Sequence, residues 1–155
     1  MKVGKMRFTT KTEYGLICLI YMAKNGRLGM VTVPEIVRKE HFSKTFIEKI
    51  LQSLRKAKIV TSHQGTGGGY VLARDPSKIT LKEIIEALEG HTFDIYCRPS
   101  LRKDIVCTHY SLCGVLPIWK KTKDLIDDYY QAVTLETLVQ QSETSLALHG
   151  APLKS

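Results

Sequence analysis

The sequence predicts a mostly α-helical protein with a small β-hairpin wing: a winged helix-turn-helix followed by a long carboxy-terminal dimerisation helix. Three observations carry that expectation. Two amphipathic stretches, PEIVRKE and KTFIEKILQSLRKA, are separated by a turn of a few residues, the helix-turn-helix pattern. A glycine-rich run, Gly65-Thr-Gly-Gly-Gly69, follows them between two β-rich stretches. From about Val115 to Ala132, apolar residues recur every seven positions, as in helices that pack lengthwise on one another. At 155 residues the chain suits one domain with an attached oligomerisation element.

The first helix is expected to open at a capping box, Thr10-Lys-Thr-Glu13, and to stop at Asn25-Gly26. Tyr14, Ile17, Cys18 and Tyr21 fall at i, i+3, i+4 and i+7 and predict its buried face, with Cys18 a small core residue. A second capping box, Thr32-Val-Pro-Glu35, opens the next helix, and Ser43 is placed to cap the third. In that third helix Phe46, Ile47, Ile50, Leu51 and Leu54 form one apolar stripe. Ile59–Ser62 and Tyr70–Ala73 read as the strands of the hairpin. Thr80-Leu-Lys-Glu83 is a third capping box, and Gly90 ends the helix it starts. Pro117 is tolerated in the first turn of the long helix. A short helix near Thr134 closes the fold, and residues 142–155 are expected to be a disordered tail. The division is thus a winged helix-turn-helix domain over residues 1–80 and a second region, with the long dimerisation helix, over 81–141.

Charge separates the same two regions. Residues 1–80 carry 15 Lys+Arg against 5 Asp+Glu, whereas residues 81–155 carry 8 against 10. The whole net charge of +8 therefore lies in the first half, which suits a polyanion. No stretch reaches the ~20 apolar residues of a membrane span. The amino-terminal residues lack a signal-like cleavage site. A cytoplasmic location without membrane contact is expected.

In a helix-turn-helix the second helix enters the major groove, where base edges differ, while phosphate contacts set the register. Ser43, Lys44, Thr45, Glu48 and Lys49 lie on the outward side of that helix's first turns. Thr45 and Glu48 are candidates to read bases, and Lys44 and Lys49 to hold phosphates. Arg7 and Lys11 add positive charge at the first helix. On the wing, His63, Gln64, Thr66 and Gly67 offer polar groups and a backbone able to approach a minor groove closely. A nucleotide-binding loop is excluded, because these glycines lead into a strand and not a helix. The expected ligand is double-stranded DNA with a palindromic operator, matching a homodimer joined through Trp119, Leu125, Ile126, Tyr129 and Val133.

Three of the four cysteines, Cys97, Cys107 and Cys113, fall within CRPSLRKDIVCTHYSLC. Thiolates are soft ligands suited to iron–sulfur clusters or zinc, and the adjacent Arg98, Arg102 and Lys103 favour the thiolate form. The paired C-x₂₋₄-C spacing of structural zinc fingers is missing. Redox-active thiols are the other reading. A thiol-disulfide enzyme is disfavoured by the lack of C-x-x-C, so no catalytic residue is assigned.

MRFTTKTEYGL, FIEKILQSLRKAKIVTSHQGTGGGYVLA and the three-cysteine segment together resemble the Rrf-two family of bacterial transcription regulators, the IscR/NsrR-like proteins. The likeness runs from Met6 to about Val139. It implies a dimeric winged helix with a long dimerisation helix and, in many members, an iron–sulfur cluster, [2Fe-2S] or [4Fe-4S], that senses nitric oxide, redox state or iron status. IscR-like members place a histidine three residues after the last cysteine; Leu116 stands there in this chain. NsrR-like members use an acidic residue of the partner subunit, and Glu13 holds the matching position. His109 is a local alternative as fourth ligand. The C-x9-C gap is longer than is usual in the family and leaves the cluster type open.

Overall fold

The structure is a computed structural model that describes residues 8–26, 30–93 and 112–149, with side chains to residue 144. Among the described residues, six α-helices and one antiparallel hairpin follow in the order α1 (Thr10–Asn25), α2 (Val33–Glu40), α3 (Lys44–Lys56), β1 (Val60–His63), β2 (Gly69–Leu72), α4 (Leu81–Glu89), α5 (Leu116–Ala132) and α6 (Leu135–His149). The expected mostly helical fold with a hairpin wing is what forms. The hairpin pairs Val60 with Leu72 and His63 with Gly69. On the other side of β2, Val31 and Tyr70 exchange backbone hydrogen bonds of 2.9 and 2.8 Å, so the chain entering α2 braces the wing.

The core is built mainly by α1, α3 and α4, with single contributions from α2 and α6 and with Val31, Ile59, Val60 and Ile79 from the hairpin and its flanks. Cys18, Leu19 and Met22 meet Ile36, Ile47, Ile50, Leu51, Leu54, Ile84, Leu88 and Leu135, all nearly or fully buried. Each such aliphatic side chain contributes about 1.5–3 kcal/mol on leaving water. The stripe expected of α3 is the one observed. Cys18 is core as expected: burial, with the nearby Glu40 charge, pushes its thiol up to about 12, so it stays protonated.

Two of the three capping boxes form. Thr32 and Glu35 exchange both side-chain-to-backbone bonds, as do Thr80 and Glu83, and Gly90 ends α4 in the left-handed conformation. The box at Thr10-Glu13 does not form. The N-cap of α1 is Thr9, whose hydroxyl makes no cap bond but turns to Glu89 at the end of α4. Ser43 occupies the N-cap of α3 without a side-chain cap bond; its carbonyl accepts from Phe46 and Ile47 instead.

The buried face of α1 also differs from the expected one. Ile17 is 37% exposed, and Thr12, Gly15, Cys18, Leu19 and Met22 face inward. The cause is a close crossing by α4: a Cβ on Gly15 would lie 2.4 Å from Leu88 Cδ1. A reading based on large apolar residues passes over a glycine and a threonine as contact positions. A third correction falls at the carboxy-terminal end, where α6 runs to His149 instead of giving way to a tail at 142. Two hydroxyls there bond along the helix, Ser142 donating to the Val139 carbonyl and Thr144 to that of Gln140. Leu135 anchors its start in the core, and Leu135 N–H donates to the Ile79 carbonyl at 2.8 Å.

Truncating Ile50, fully buried where α1, α3 and α4 meet, tests this core. Ile50→Ala is expected to cost ~2–5 kcal/mol in urea unfolding at fixed protomer concentration; Ile17→Ala should cost under about 1 kcal/mol.

Candidate nucleic-acid interface

The helix-turn-helix is seated on two tyrosines of α1. Tyr14 stacks on Phe42 of the turn with ring centroids 3.8 Å apart and meets Phe46 of α3 edge-on at 5.6 Å. Tyr21 donates its hydroxyl to Glu35 Oε1 at 2.7 Å, while Glu35 Oε2 completes the α2 capping box. The bond to the Glu35 carboxylate, with burial adding to it, raises the Tyr21 phenol above its ordinary value. The turn itself is made by His41 in the left-handed conformation, φ 56°, with its N–H on the Val37 carbonyl. These contacts fix α2 and the first turn of α3 to α1.

What α3 then presents to solvent is polar. Ser43, Lys44, Thr45, Glu48 and Lys49 are all exposed on one side. Lys44 and Glu48 lie 3.8 Å apart, a solvated i,i+4 pair worth only a few tenths of a kcal/mol and readily exchanged for a phosphate. At the wing, His63, Gln64, Thr66 and Gly67 are likewise exposed. Gly65 and Gly67 adopt φ of 109° and 81°, which side-chain-bearing residues rarely adopt. A Cβ on Gly68 would lie 2.5 Å from the His63 carbonyl oxygen, so the tip closes only around glycine.

Sequence reasoning missed Arg55 and Lys58. Arg55, in the last turn of α3, donates to Ser62 Oγ of β1 at 3.1 Å and so ties recognition helix to wing. Lys58, at φ 58°, makes the tight α3-to-β1 turn. Their signal was the α3–β1 junction itself, RKAKIV, which looked only like a basic helix end.

Lys11 is not free at the surface. Its Nζ donates to the Leu88 carbonyl at 2.8 Å, at the carboxy-terminal end of α4. Glu13 is exposed, and its carboxylate makes no hydrogen bond or ion pair among the described residues. Cys113 is half-buried just before α5. Arg7, Cys97, Cys107 and His109 lie outside the described residues. Among the described residues no group of three potential ligands gathers for a metal.

The expected dimerisation residues divide between two faces of α5. Leu125 and Tyr129 are 57% and 66% exposed, in line with Ile118 at 60%; Trp119 is exposed beside them. Ile126 and Val133 are half-buried toward their own chain, on the side where Lys123 and Asp127 meet α4. Asp127 pairs with Lys123, lies 3.7 Å from Lys82, and accepts the Thr92 hydroxyl. Burial works against its ionised form, but the Lys123 and Thr92 bonds and the Lys82 charge hold its carboxyl below the usual range.

A braced wing, a recognition helix with a polar outer face and a basic amino-terminal half define a winged-helix DNA-binding regulator. The chain belongs to the Rrf2 family, described as iron-dependent transcriptional regulators, whose profile matches residues 8–141. An HTH-type transcriptional regulator of Neisseria meningitidis is 30% identical over 136 residues, which cover 88% of this chain and 89% of the relative. Escherichia coli IscR is 28% identical over 138 residues, 89% of this chain and 83% of that one. Among solved structures, CymR, the global cysteine regulator of Bacillus subtilis, superposes with a TM-score of 0.70 at 28% identity, covering 87% of this chain and 97% of that one. T. potens IscR gives 0.68 at 26% identity, covering 94% and 93%. No helix among the described residues is long and apolar enough to cross a membrane.

Exposed lysines on α3 make a quantitative expectation. Lys49→Ala should weaken operator binding by about threefold to tenfold at moderate salt and lower the slope of log K against log salt by about one. Fluorescence anisotropy at four salt concentrations measures both.

Proposed function

We propose that the chain acts as a homodimeric transcription regulator whose affinity for a palindromic operator depends on an iron–sulfur cluster. Cys97, Cys107 and Cys113 would hold the cluster, with Glu13 of the partner subunit as fourth ligand. The observation that carries this reading is the Glu13 carboxylate. A capping box would occupy it, but that box does not form, and Glu13 stands exposed near the start of α1 with no partner among the described residues. Three thiols and one carboxylate fit the donor count of a cubane or a rhombic cluster. Cys113 is accessible enough to take part, whereas buried Cys18 is held as a neutral thiol. Such a cluster, when bound, supplies a covalent anchor that nitric oxide, oxygen or iron scarcity removes.

The chain's own residues do the rest. Lys44 and Lys49 hold phosphates, Ser43, Thr45 and Glu48 face base edges, and His63, Gln64, Thr66 and Gly67 carry the wing to the minor groove. The exposed row Ile118, Leu125 and Tyr129 on α5, with Trp119 beside it, supports pairing with a second copy, which sets the spacing of the two recognition helices. Residues 1–80 are the DNA-binding part on this reading, and residues 81–141 the sensor and dimer part. Reduced thiols and a DNA target suit the cytoplasm.

A second reading keeps the regulator and drops the cluster, with the cysteines acting as redox thiols or the segment answering a small molecule or partner protein. The likeness to CymR favours it, since one such structure, from Staphylococcus aureus, is of an oxidized form, with a TM-score of 0.63 at 27% identity.

Anaerobic purification separates the two. A coloured dimer containing iron and sulfide is expected, with colour lost in Cys97→Ser, Cys107→Ser or Cys113→Ser. Glu13→Ala should speed cluster loss under air, and His109→Ala should not. A colourless protein without iron or sulfide, even after reconstitution, overturns the cluster. Separately, Leu125→Glu with Tyr129→Glu should convert the dimer to monomers in sedimentation velocity.

A further inference from the structure

We propose that Glu89 is a positioning residue for operator binding: it clamps the amino-terminal turn of α1 to the root of the cysteine segment, so that the state of that segment reaches the DNA-binding helices through this joint. The inference rests on the reading above that the cysteine segment has two states.

The joint is reciprocal. Glu89 closes α4, and its carboxylate accepts the hydroxyls of Thr9 and Thr12 and the backbone N–H of Thr9. It therefore does for α1, from another helix, what Glu13 would have done from within, and it places negative charge at the positive end of the α1 dipole. In return Lys11 of α1 donates to the Leu88 carbonyl at 2.8 Å, placing positive charge at the negative end of α4. Thr12 is fully buried, so its hydroxyl has no water to turn to if the carboxylate moves away.

The same short stretch is gripped from the other side. Thr92 donates to Asp127 of α5, which also holds Lys123 and lies 3.7 Å from Lys82. Residues 88–92, which precede Cys97 in the sequence, are fastened to α1 at one point and to α5 at another. Past the joint, Tyr14 lies two positions beyond Thr12, stacks on Phe42 of the turn and meets Phe46 of α3 edge-on. A displacement at residue 90 is delivered to the first turn of α1 and, through Tyr14, to the seat of α3. These are packed and hydrogen-bonded groups with no loose segment between them, the kind of contact path along which one element biases another.

The test compares operator Kd for cluster-loaded and cluster-free dimers of wild type, Glu89→Ala and Glu89→Gln at one salt concentration. Wild type is expected to differ by about tenfold between the two states, within the usual range of coupling. Glu89→Ala should bring that ratio to within about twofold of one. Glu89→Gln, whose amide oxygen still accepts the threonine hydroxyls, should keep most of it. A purely structural loss would weaken both states alike and leave the ratio as it was. If Glu89→Ala fails to fold, Thr12→Val, which deletes one bond at nearly equal volume, takes its place with the same expectation. A wild-type ratio retained in the Ala or Val variant overturns the joint and leaves the sensing reading intact. Equal affinities of the two wild-type states overturn both.

Discussion

The crossing of α1 and α4 is the contact on which the other parts depend. Gly15 allows it, because any side chain there would strike Leu88, and Leu88 then fills the space between the two helices. Polar bonds at the ends finish what the apolar contact begins. α4 is otherwise joined to the carboxy-terminal helices: Leu81 N–H donates to the Val133 carbonyl at 2.8 Å, and Thr80 forms a bridge with Thr134. One nine-residue helix therefore joins the helix-turn-helix and its wing to the part that bears α5.

That position explains why several ionisable groups collect around α4. Glu83 is held below the usual carboxylate range, where burial is outweighed by bonds from the Thr80 backbone and from Arg74, which lies 3.0 Å away. Glu89 is lowered in the same way, burial being outweighed by the Thr12 and Thr9 hydroxyls. Carboxyls depressed in this manner stabilise the fold above their unfolded pKa, and that stability fades as pH falls through the folded value. The network is thus a neutral-pH structure that loosens in acid.

Much of the fold could be read from the sequence because its signals were local. Capping boxes at Thr32 and Thr80, the glycine tip at Gly65–Gly69 and the α3 stripe each depend on neighbours a few residues away, and each appears where expected. The failures were non-local. Nothing within TKTE signals that Glu89, far along the chain, takes the threonine hydroxyls, or that Lys11 turns inward to Leu88. Nor does a heptad row say which members face the same chain, as Ile126 and Val133 do, and which are left outside, as Leu125 and Tyr129 are. Of the candidate site, the polar face of α3 and the wing tip were legible, because exposure there follows from the helix period and the turn. Arg55 was not, because its role rests on where β1 begins.

Cys18 has a consequence of another kind. Its thiol lies at the centre of the core, fully shielded and neutral far above physiological pH. An electrophile in solution meets it only when that core opens. The chain thus contains its own unfolding clock: the rate at which this sulfur is alkylated counts openings of the α1–α3–α4 interior, in a protein whose remaining cysteines lie along a single later stretch of sequence.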